Sequence, residues 1–323
     1  MRTAHPTQDI NLYTDTKTIT GGRDDLVLDG SRCLKMRYSE SCCRRCADIC
    51  PHRAISLDGF LAVNPHHCRG CLLCTSLCPT GALEENADFS SILAQLSRVP
   101  APVFGCVRTK EASNSSLPCL GGLSEEHLLT LCHSLTGTLT INLTGCAECP
   151  NCAIISHLRQ RLESLYGGEL LEGGCNIRIA ESTEDIDYQA EAVDRRGFFG
   201  SFRKSLFQSA AVILSANNKQ SERRTGYAEK RLPIRRKLLN DTRKKLSIEQ
   251  AALLGKRLDT SLSISEACSK CQGCVAICPT GALQNGASEA EPTFDPLICT
   301  GCGVCREFCM DAAIRILTEK SED

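Results

Sequence analysis

The chain has 323 residues, of which 24 are Cys and none is Trp, and its formal net charge at pH 7 is −1. The length and the regular cysteine spacing exclude a small disulfide-bonded secreted protein, and the opening residues MRTAHPTQDINLYTD contain no apolar stretch typical of a signal peptide. No segment approaches the roughly 20 apolar residues that a membrane-spanning helix needs. We therefore predict a cytoplasmic protein without a membrane span.

Cysteine runs stand near both ends of the chain. Residues 1–32 are polar except for residues 24–29 (DDLVLD), which predict one strand. The segment that follows contains a short run and then a complete C-x2-C-x2-C-x3-C run: Cys43, Cys46 and Cys50, then Cys68, Cys71, Cys74 and Cys78. Two complete runs lie near the other end: Cys268, Cys271, Cys274 and Cys278, then Cys299, Cys302, Cys305 and Cys309. Pro follows the last Cys in three of the four runs, and it presets the backbone for a short helix after each such corner.

This spacing is typical of 4Fe–4S ligands, because three thiolates two residues apart surround one cluster and the last Cys of the run ligates the other cluster of the pair. Zinc also binds C-x2-C pairs, but two separated pairs are its usual pattern. We predict four 4Fe–4S clusters. Three complete ligand sets follow from the cross-ligation rule: Cys50, Cys68, Cys71 and Cys74; Cys268, Cys271, Cys274 and Cys309; Cys278, Cys299, Cys302 and Cys305.

The remaining set, with Cys43, Cys46 and Cys78, lacks a fourth cysteine at the expected place, where Glu40 stands. Cys33 and Cys42 are the two candidates. We favour Cys33, because Cys42 and Cys43 are neighbours and point apart in an extended loop, whereas a longer excursion can return Cys33 to the site. The alternatives are a three-iron cluster or an oxygen ligand from Glu40.

Residues 84–182 have a different pattern, in which helical and strand periods alternate. This alternation predicts a small α/β domain with a parallel sheet. Helices are expected at residues 89–96, from the cap Ser124 to 135, and at 152–166. Strands are expected at residues 103–104, 139–143 and 177–180.

Five cysteines of this segment follow strands or begin helices, where α/β sheets place their sites. They are Cys106, Cys119, Cys146, Cys149 and Cys152. We predict a fifth iron–sulfur cluster, 4Fe–4S or 2Fe–2S, bound by the first four, with Cys152 as the possible substitute and structural zinc as the alternative. Cys132 and Cys175 are expected to be buried small side chains rather than ligands.

Residues 183–262 predict a basic helical connector. Residues 195–257 contain 17 Lys and Arg against 4 Asp and Glu, a balance of +13, and the rest of the chain has a balance of −14. Helices are expected at residues 198–210, 235–246 and 247–258. We expect this connector to dock an acidic surface, either the cluster domains of the same chain or a partner, and not nucleic acid, because no aromatic platform or nucleic-acid-binding fold accompanies the charge. The internal motif Arg195-Arg196-Gly197-Phe198-Phe199 is similar to a twin-arginine signal, but such signals stand at the N-terminus.

Residues 43–83 and 268–315 resemble the two-cluster bacterial ferredoxins at their Cys runs, apart from Glu40 and from Met310 in place of Pro. The whole chain resembles a polyferredoxin. The motifs and the Arg195-Arg196 element are also similar to the accessory ferredoxins of molybdenum oxidoreductases, and the middle segment is similar to the small iron–sulfur subunit that links hydrogenases to heterodisulfide reductase. The resemblance implies an α+β protein in which two ferredoxin-like units flank a small α/β domain and the connector. The domains are then residues 1–83, 84–182, 183–262 and 263–323.

The sequence contains no nucleophile with a base, no dinucleotide-binding motif and no P-loop, so no catalytic residue is predicted. His52, His66 and His67 lie beside cysteines, and we interpret them as loop residues rather than ligands. The cysteine runs favour a non-catalytic electron-transfer subunit that connects a low-potential ferredoxin or flavoprotein donor to an oxidoreductase complex. The alternative is an assembly or maturation factor for a molybdenum oxidoreductase.

Overall fold

The computed structural model of the protein describes residues 24–189, 229–286 and 290–317. The twin-arginine-like motif at residues 195–199 and the helix expected at residues 198–210 lie outside the described residues, as does the adjoining part of the basic connector.

The N-terminal unit consists of short elements around the first two cysteine runs. Its helices are α1 (Leu34–Arg37), α2 (Arg45–Asp48) and α3 (Leu73–Leu77), and its strands are β1 (Leu26–Leu28), β2 (Ile55–Ser56), β3 (Ala62–Val63) and β4 (Leu83–Glu85). β1 pairs antiparallel with β4, and β2 pairs antiparallel with β3. The strand expected within residues 24–29 is therefore confirmed as β1.

A four-stranded parallel sheet follows. Its strands are β5 (Val103–Cys106), β6 (Ser115–Leu117), β7 (Thr138–Asn142) and β8 (Asn176–Ala180), in the order β6-β5-β7-β8. The accompanying helices are α4 (Phe89–Leu96), α5 (Glu125–Ser134) and α6 (Ile154–Gly167). Ser124 caps α5 as expected, since its hydroxyl accepts from the His127 N–H. The predicted parallel sheet is confirmed, and its central strands are buried because helices cover them.

The described part of the connector forms two helices, α7 (Ile234–Arg243) and α8 (Ile248–Leu258). Both agree with the prediction, although α7 ends earlier than expected. Ser247 opens α8 with a capping box, in which Gln250 reaches back to the Ser247 N–H.

The C-terminal unit repeats the plan of the N-terminal unit. Its helices are α9 (Gly273–Ile277) and α10 (Val304–Phe308), and its strands are β9 (Ser261–Ile264), β10 (Leu283–Gln284), β11 (Thr293–Phe294) and β12 (Ile314–Leu317). β12 pairs antiparallel with β9, and β10 with β11.

One hydrophobic core joins the N-terminal unit, the sheet and the two connector helices, to which Leu239 of α7 and Leu254 of α8 contribute. A second, smaller core belongs to the C-terminal unit and contains Cys278, Ala282, Leu283, Cys305 and Ile314. The mixture of helices and strands fits the predicted α+β class. The N-terminal unit and the sheet are packed together rather than standing apart. In the described ranges, no helix is both long enough and apolar enough to cross a bilayer.

Candidate metal centres

The first cysteine-lined cavity of the N-terminal unit is bordered by Cys50, Cys68, Cys71 and Cys74, and it encloses about 400 Å³ that is partly open to solvent. Cys68 and Cys71 lie in the loop before α3, and Cys74 lies within that helix. Leu72 turns the chain into the helix with a φ of 57°, a left-handed conformation that is rare outside Gly. Burial, followed by the charges of neighbouring thiols, raises the pKa of Cys74 well above its usual value.

The second cavity of this unit is bordered by Cys33, Cys43, Cys46 and Cys78 and has a volume of about 330 Å³, part of which is open to solvent. Burial, followed by the nearby Cys78, Cys33 and Cys43 thiols, raises the pKa of Cys46 to about 12. Cys33 thus lies with the other three thiols, as favoured from the sequence.

The two rivals of Cys33 lie elsewhere. Cys42 is exposed, and its Sγ lies 2.8 Å from Glu307 Oε1 of the C-terminal unit. Glu40 is exposed and accepts a hydrogen bond from the Tyr38 hydroxyl at 2.7 Å. Neither side chain borders the cavity of Cys33.

The C-terminal unit has a third cavity of about 360 Å³, bordered by Cys278, Cys299, Cys302 and Cys305. Burial raises the pKa of Cys302 and of Cys305 to about 12. Cys278 behaves differently. Burial raises its pKa, but backbone N–H groups, first that of Leu283, and the Thr280 hydroxyl outweigh burial and lower it.

The remaining C-terminal cysteines form a more open set. Burial raises the pKa of Cys274, and the Cys268 and Cys271 thiols raise it further. Cys271 is exposed, whereas Cys268, Cys274 and Cys309 are half-buried. A Cβ atom at Gly273 would lie 3.0 Å from the ring of Phe308, so the residues just before Cys274 and Cys309 are in contact.

In the parallel sheet, cysteines meet at the carboxyl ends of β5, β6 and β7. The Cys119 thiol interacts with those of Cys106 and Cys146, and Cys146 also interacts with Cys149. Burial raises the pKa of Cys119 to about 12 and that of Cys146 to about 11. Cys152 is exposed.

Cys132 and Cys175 are buried away from this group, as expected for small core side chains. The Cys132 Sγ lies 3.2 Å from the Cys175 carbonyl oxygen and 3.5 Å from that of Leu171.

The cysteine group of the sheet lies next to the N-terminal unit, and the two cysteine groups within each ferredoxin-like unit lie next to each other. The Cys119 thiol of the sheet interacts with Cys71 of the N-terminal unit, and a Cβ atom at Gly121 would lie only 2.1 Å from the Cys71 carbonyl oxygen. Within the N-terminal unit, Cys74 interacts with Cys46 of the other cavity. Within the C-terminal unit, Cys305 interacts in the same way with Cys274.

The histidines beside the cysteines have ordinary structural surroundings. His52 Nε2 lies 3.1 Å from Asn151 Oδ1, and Asn151 Nδ2 donates to the Arg69 carbonyl oxygen at 3.0 Å. His66 and His67 are exposed. The role of Asn151 between the sheet and the N-terminal unit was not predicted, because the sequence gives no signal that pairs residues 52, 69 and 151.

The donor sets fit iron–sulfur clusters. Each of the three cavities is bordered by four cysteine thiols. In each cavity, one thiol is the last Cys of the neighbouring run, which is the arrangement that cross-ligation requires. Backbone N–H groups also approach the sulfurs: Ala54 N lies 3.3 Å from Cys50 Sγ, and Gly301 N lies 3.5 Å from Cys299 Sγ. Among the described residues, no group of three or more Cys, His, Asp and Glu side chains is arranged to hold a single metal ion.

Comparisons with known proteins find similarity over a part of the chain. Residues 41–82 match the family described as the 4Fe-4S dicluster domain (Fer4_7). The chain is also 34% identical over 61 residues to pyruvate synthase subunit PorD of Methanocaldococcus jannaschii, a match that covers 18% of this chain and 63% of that subunit. Residues 41–82 of the N-terminal unit are therefore similar to 4Fe–4S dicluster domains, and the 61 matched residues are similar to an iron–sulfur, ferredoxin-like subunit of an oxidoreductase.

Proposed function

We propose that this protein is a multi-cluster electron-transfer subunit that passes electrons between a low-potential donor and a redox enzyme. In this proposal, ferredoxin-like units at residues 1–83 and 263–323 each hold two 4Fe–4S clusters. A small α/β domain (84–182) and a connector (183–262) lie between them in sequence. When bound, such clusters take up and release single electrons.

The observation that carries this proposal is the closeness of the cysteine groups of the N-terminal unit and the sheet to one another, together with the contact between the N-terminal and C-terminal units. The sheet adjoins the N-terminal unit through Cys119 and Cys71, and the two cavities of that unit adjoin through Cys74 and Cys46. The N-terminal unit meets the C-terminal unit where Cys42 contacts Glu307 and where the rings of Tyr38 and Phe308 pack edge to face at 5.4 Å. Adjacent centres are what an electron-transfer chain requires, whereas storage or structural clusters have no need to be neighbours.

We also propose a fifth iron–sulfur cluster at the strand ends, with Cys106, Cys119, Cys146 and Cys149 as ligands. The mutual electrostatic interactions of these thiols support the set. Three of the four thiols are buried, so leaving them without a metal would place several sulfur groups together in the interior for no packing benefit.

The similarity to PorD suggests the class of partner protein. PorD is a subunit of pyruvate synthase, and it is matched over less than two thirds of its length. By analogy, we propose that this chain works within or beside an oxidoreductase complex, with a ferredoxin or flavoprotein as electron donor.

The test is the iron and sulfide content of anaerobically purified protein, combined with EPR during redox titration. Four 4Fe–4S clusters require about 16 irons, and a fifth 4Fe–4S cluster raises this to about 20. Reversible reduction and electron exchange with an oxidoreductase are the expected results. Zinc in place of most iron contradicts the proposal, and clusters that are given up to an apo-enzyme without turnover point to a maturation factor.

The fifth cluster has its own matched pair of variants. Cys119→Ser should lower the iron content by about four atoms if the sheet holds a 4Fe–4S cluster, or by about two if it holds 2Fe–2S. Cys132→Ser, which changes a buried thiol of the same domain outside the group, should leave the iron content unchanged. Equal iron in both variants removes the fifth cluster from the proposal.

A further inference from the structure

Helix α7 lies between the two ferredoxin-like units and contacts both. At its start, the Ile234 N–H donates to Glu84 Oε1 at 2.8 Å, and the Arg235 guanidinium donates to the carbonyl oxygens of Thr75 and Cys78 in the N-terminal unit. One turn later, Asn240 Nδ2 donates to the Leu297 carbonyl oxygen at 2.9 Å, two residues before Cys299 of the C-terminal unit.

Arg236 of this helix is a buried cation, with 6% of its surface exposed. It forms ion pairs with Glu126 Oε1, 2.7 Å from its Nε, and with Asp259 Oδ1, 3.8 Å from its Nη1. Neither nitrogen has a directed hydrogen bond to any of the described residues. The Nε of Arg235 is paired with Glu126 in the same way, but both terminal nitrogens of Arg235 donate to carbonyl oxygens, whereas Arg236 Nη1 has only the Asp259 carboxylate at 3.8 Å. A buried guanidinium nitrogen without an acceptor is costly, so an acceptor is expected nearby.

Cys299 is the candidate cluster ligand that lies two residues after Leu297, which α7 contacts through Asn240. Asp259, which pairs with Arg236, is followed by Thr260, whose hydroxyl acts to lower the pKa of the Cys299 thiol. The Thr260 Oγ1 would lie 3.0 Å from a Cβ atom at Gly301, two residues after Cys299. Arg236 also acts on Cys299 through its charge and opposes the effect of burial on that thiol. The cavity of Cys299 is shared with Cys278, Cys302 and Cys305.

We propose that Arg236 is a positioning residue for the cluster bound by Cys278, Cys299, Cys302 and Cys305, donating an N–H to one of its sulfurs and raising its reduction potential. This inference rests on the proposed electron-transfer function. The reduced cluster carries one more negative charge than the oxidised cluster, so a buried cation favours reduction, and hydrogen bonds to sulfur act in the same direction. The cluster nearest α7 would then accept electrons more readily than one without such a cation.

The experiment is an EPR-monitored redox titration of the full chain carrying Arg236→Met. The step that belongs to this cluster is identified as the one that changes in Cys299→Ser. We expect Arg236→Met to weaken reduction of this cluster at least tenfold, a shift of 59 mV to lower potential for one electron. The other steps should stay in place.

Lys237→Met is the matched control, because it removes the same charge from an exposed neighbour on the same helix. It should leave every potential unchanged. Iron content is measured in all variants. If Arg236→Met does not retain the cluster, the reduction potential of Arg236→Lys is measured instead. Lysine keeps the positive charge but lacks the planar set of N–H donors of arginine. For Arg236→Lys, a shift of the reduction potential to a lower value that is smaller than the one expected for Arg236→Met supports the inference.

An unchanged potential in an iron-loaded Arg236→Met, or in Arg236→Lys where that variant decides, overturns the role of Arg236 while leaving the electron-transfer function intact. A wild-type protein without reversibly reducible clusters instead defeats the proposed function itself.

Discussion

At the scale of single residues, Cys33 and Cys42 are the two candidates for one ligand position in the N-terminal unit. Cys33 is buried in the cavity shared with Cys43, Cys46 and Cys78, whereas Cys42 is exposed beside Glu307. Only a thiol that borders the cavity can complete the ligand set without rebuilding the loop.

We therefore expect Cys33→Ser to lose or alter one cluster, with a fall of up to about four irons, and Cys42→Ser to retain the wild-type iron content. Iron analysis and EPR of the two variants, purified side by side without oxygen, make the comparison. The reverse pattern would assign the ligand to Cys42, and two unaffected variants would leave a three-iron cluster or a Glu40 ligand.

A second single-residue prediction concerns Arg161, a buried arginine of α6. Its guanidinium donates to the carbonyl oxygens of Gly121 and Leu123 and to the Ser76 hydroxyl, so it ties the sheet to the N-terminal unit. Burial lowers its pKa to about 10, which still leaves it charged at neutral pH. Arg161→Met leaves buried acceptors unsatisfied, at a cost of about 1–3 kcal/mol for each group, and should lower the midpoint of thermal unfolding by several degrees.

Arg159 is the matched control for Arg161, because it lies on the same helix and forms an exposed ion pair with Glu181. Exposed pairs contribute about 0–1 kcal/mol, so Arg159→Met should change the midpoint little. Similar midpoints for the two variants would mean that Arg161 contributes no more than a surface residue.

At the scale of elements, the turn that carries Gly121 and Gly122 determines how closely the sheet approaches the N-terminal unit. A Cβ atom at Gly121 would meet the Cys71 carbonyl oxygen at 2.1 Å, whereas one at Gly122 would make an ordinary contact with Leu72 at 3.4 Å. Gly121→Ala should push the sheet away from Cys71 and slow electron exchange between the two adjoining sites, and Gly122→Ala should do so much less. Rapid-freeze EPR after mixing with a reductant measures this exchange, and equal rates in both variants would show that the close approach is not needed.

The two connector helices, α7 and α8, carry part of the basic charge of the connector, and the structure shows what some of these basic side chains contact. The sequence left open whether these helices dock the chain's own domains or a partner. Arg235 and Arg236 are buried and paired with Glu126 of α5, whereas Lys237 is exposed. Among the described basic residues of α7, the two arginines therefore form internal ion pairs, whereas Lys237 faces solvent. Reversing the charge of Arg235 and Arg236 should consequently destabilise the fold, and its effect on partner binding could not be separated from that loss of stability.

At the scale of the whole molecule, the two cores differ in size. The sequence predicts that both ends depend on their clusters for folding, because metal binding supplies folding free energy. The N-terminal unit, however, shares its core with the sheet and α7 and α8, whereas the core of the C-terminal unit contains five buried residues, two of them cysteines. The C-terminal unit should therefore depend more strongly on its clusters.

Removing the clusters by chelation under oxidising conditions should expose the segment after residue 263 to protease first, while a fragment that contains the N-terminal unit and the sheet persists. Limited proteolysis with mass spectrometry identifies the cuts, and the iron-loaded protein serves as the control. Early cuts within residues 33–83 would show instead that the N-terminal unit also needs its clusters despite the shared core.

The sequence by itself determined the features that depend on local spacing. The cysteine runs predict their own ligands because residues three apart in a tight loop are neighbours in any fold, and the helix at Phe89–Leu96 follows from its period. The parallel sheet followed in the same way from alternating helices and strands. The preference for Cys33 over Cys42, which stays a prediction, also came from a local argument, that adjacent residues point apart.

Only the tertiary structure decided which distant groups meet. Nothing in the spacing indicates that Cys119 lies near Cys71, that Arg161 reaches Ser76, or that Arg236 is buried beside Glu126 and Asp259. Such contacts depend on how several elements pack at once, and a basic run in the sequence is the same whether its side chains lie in solvent or between two units. Which cysteine groups lie next to one another, and where Arg236 lies, are therefore properties of the packing, whereas the cysteine runs that predict the clusters are a property of the sequence.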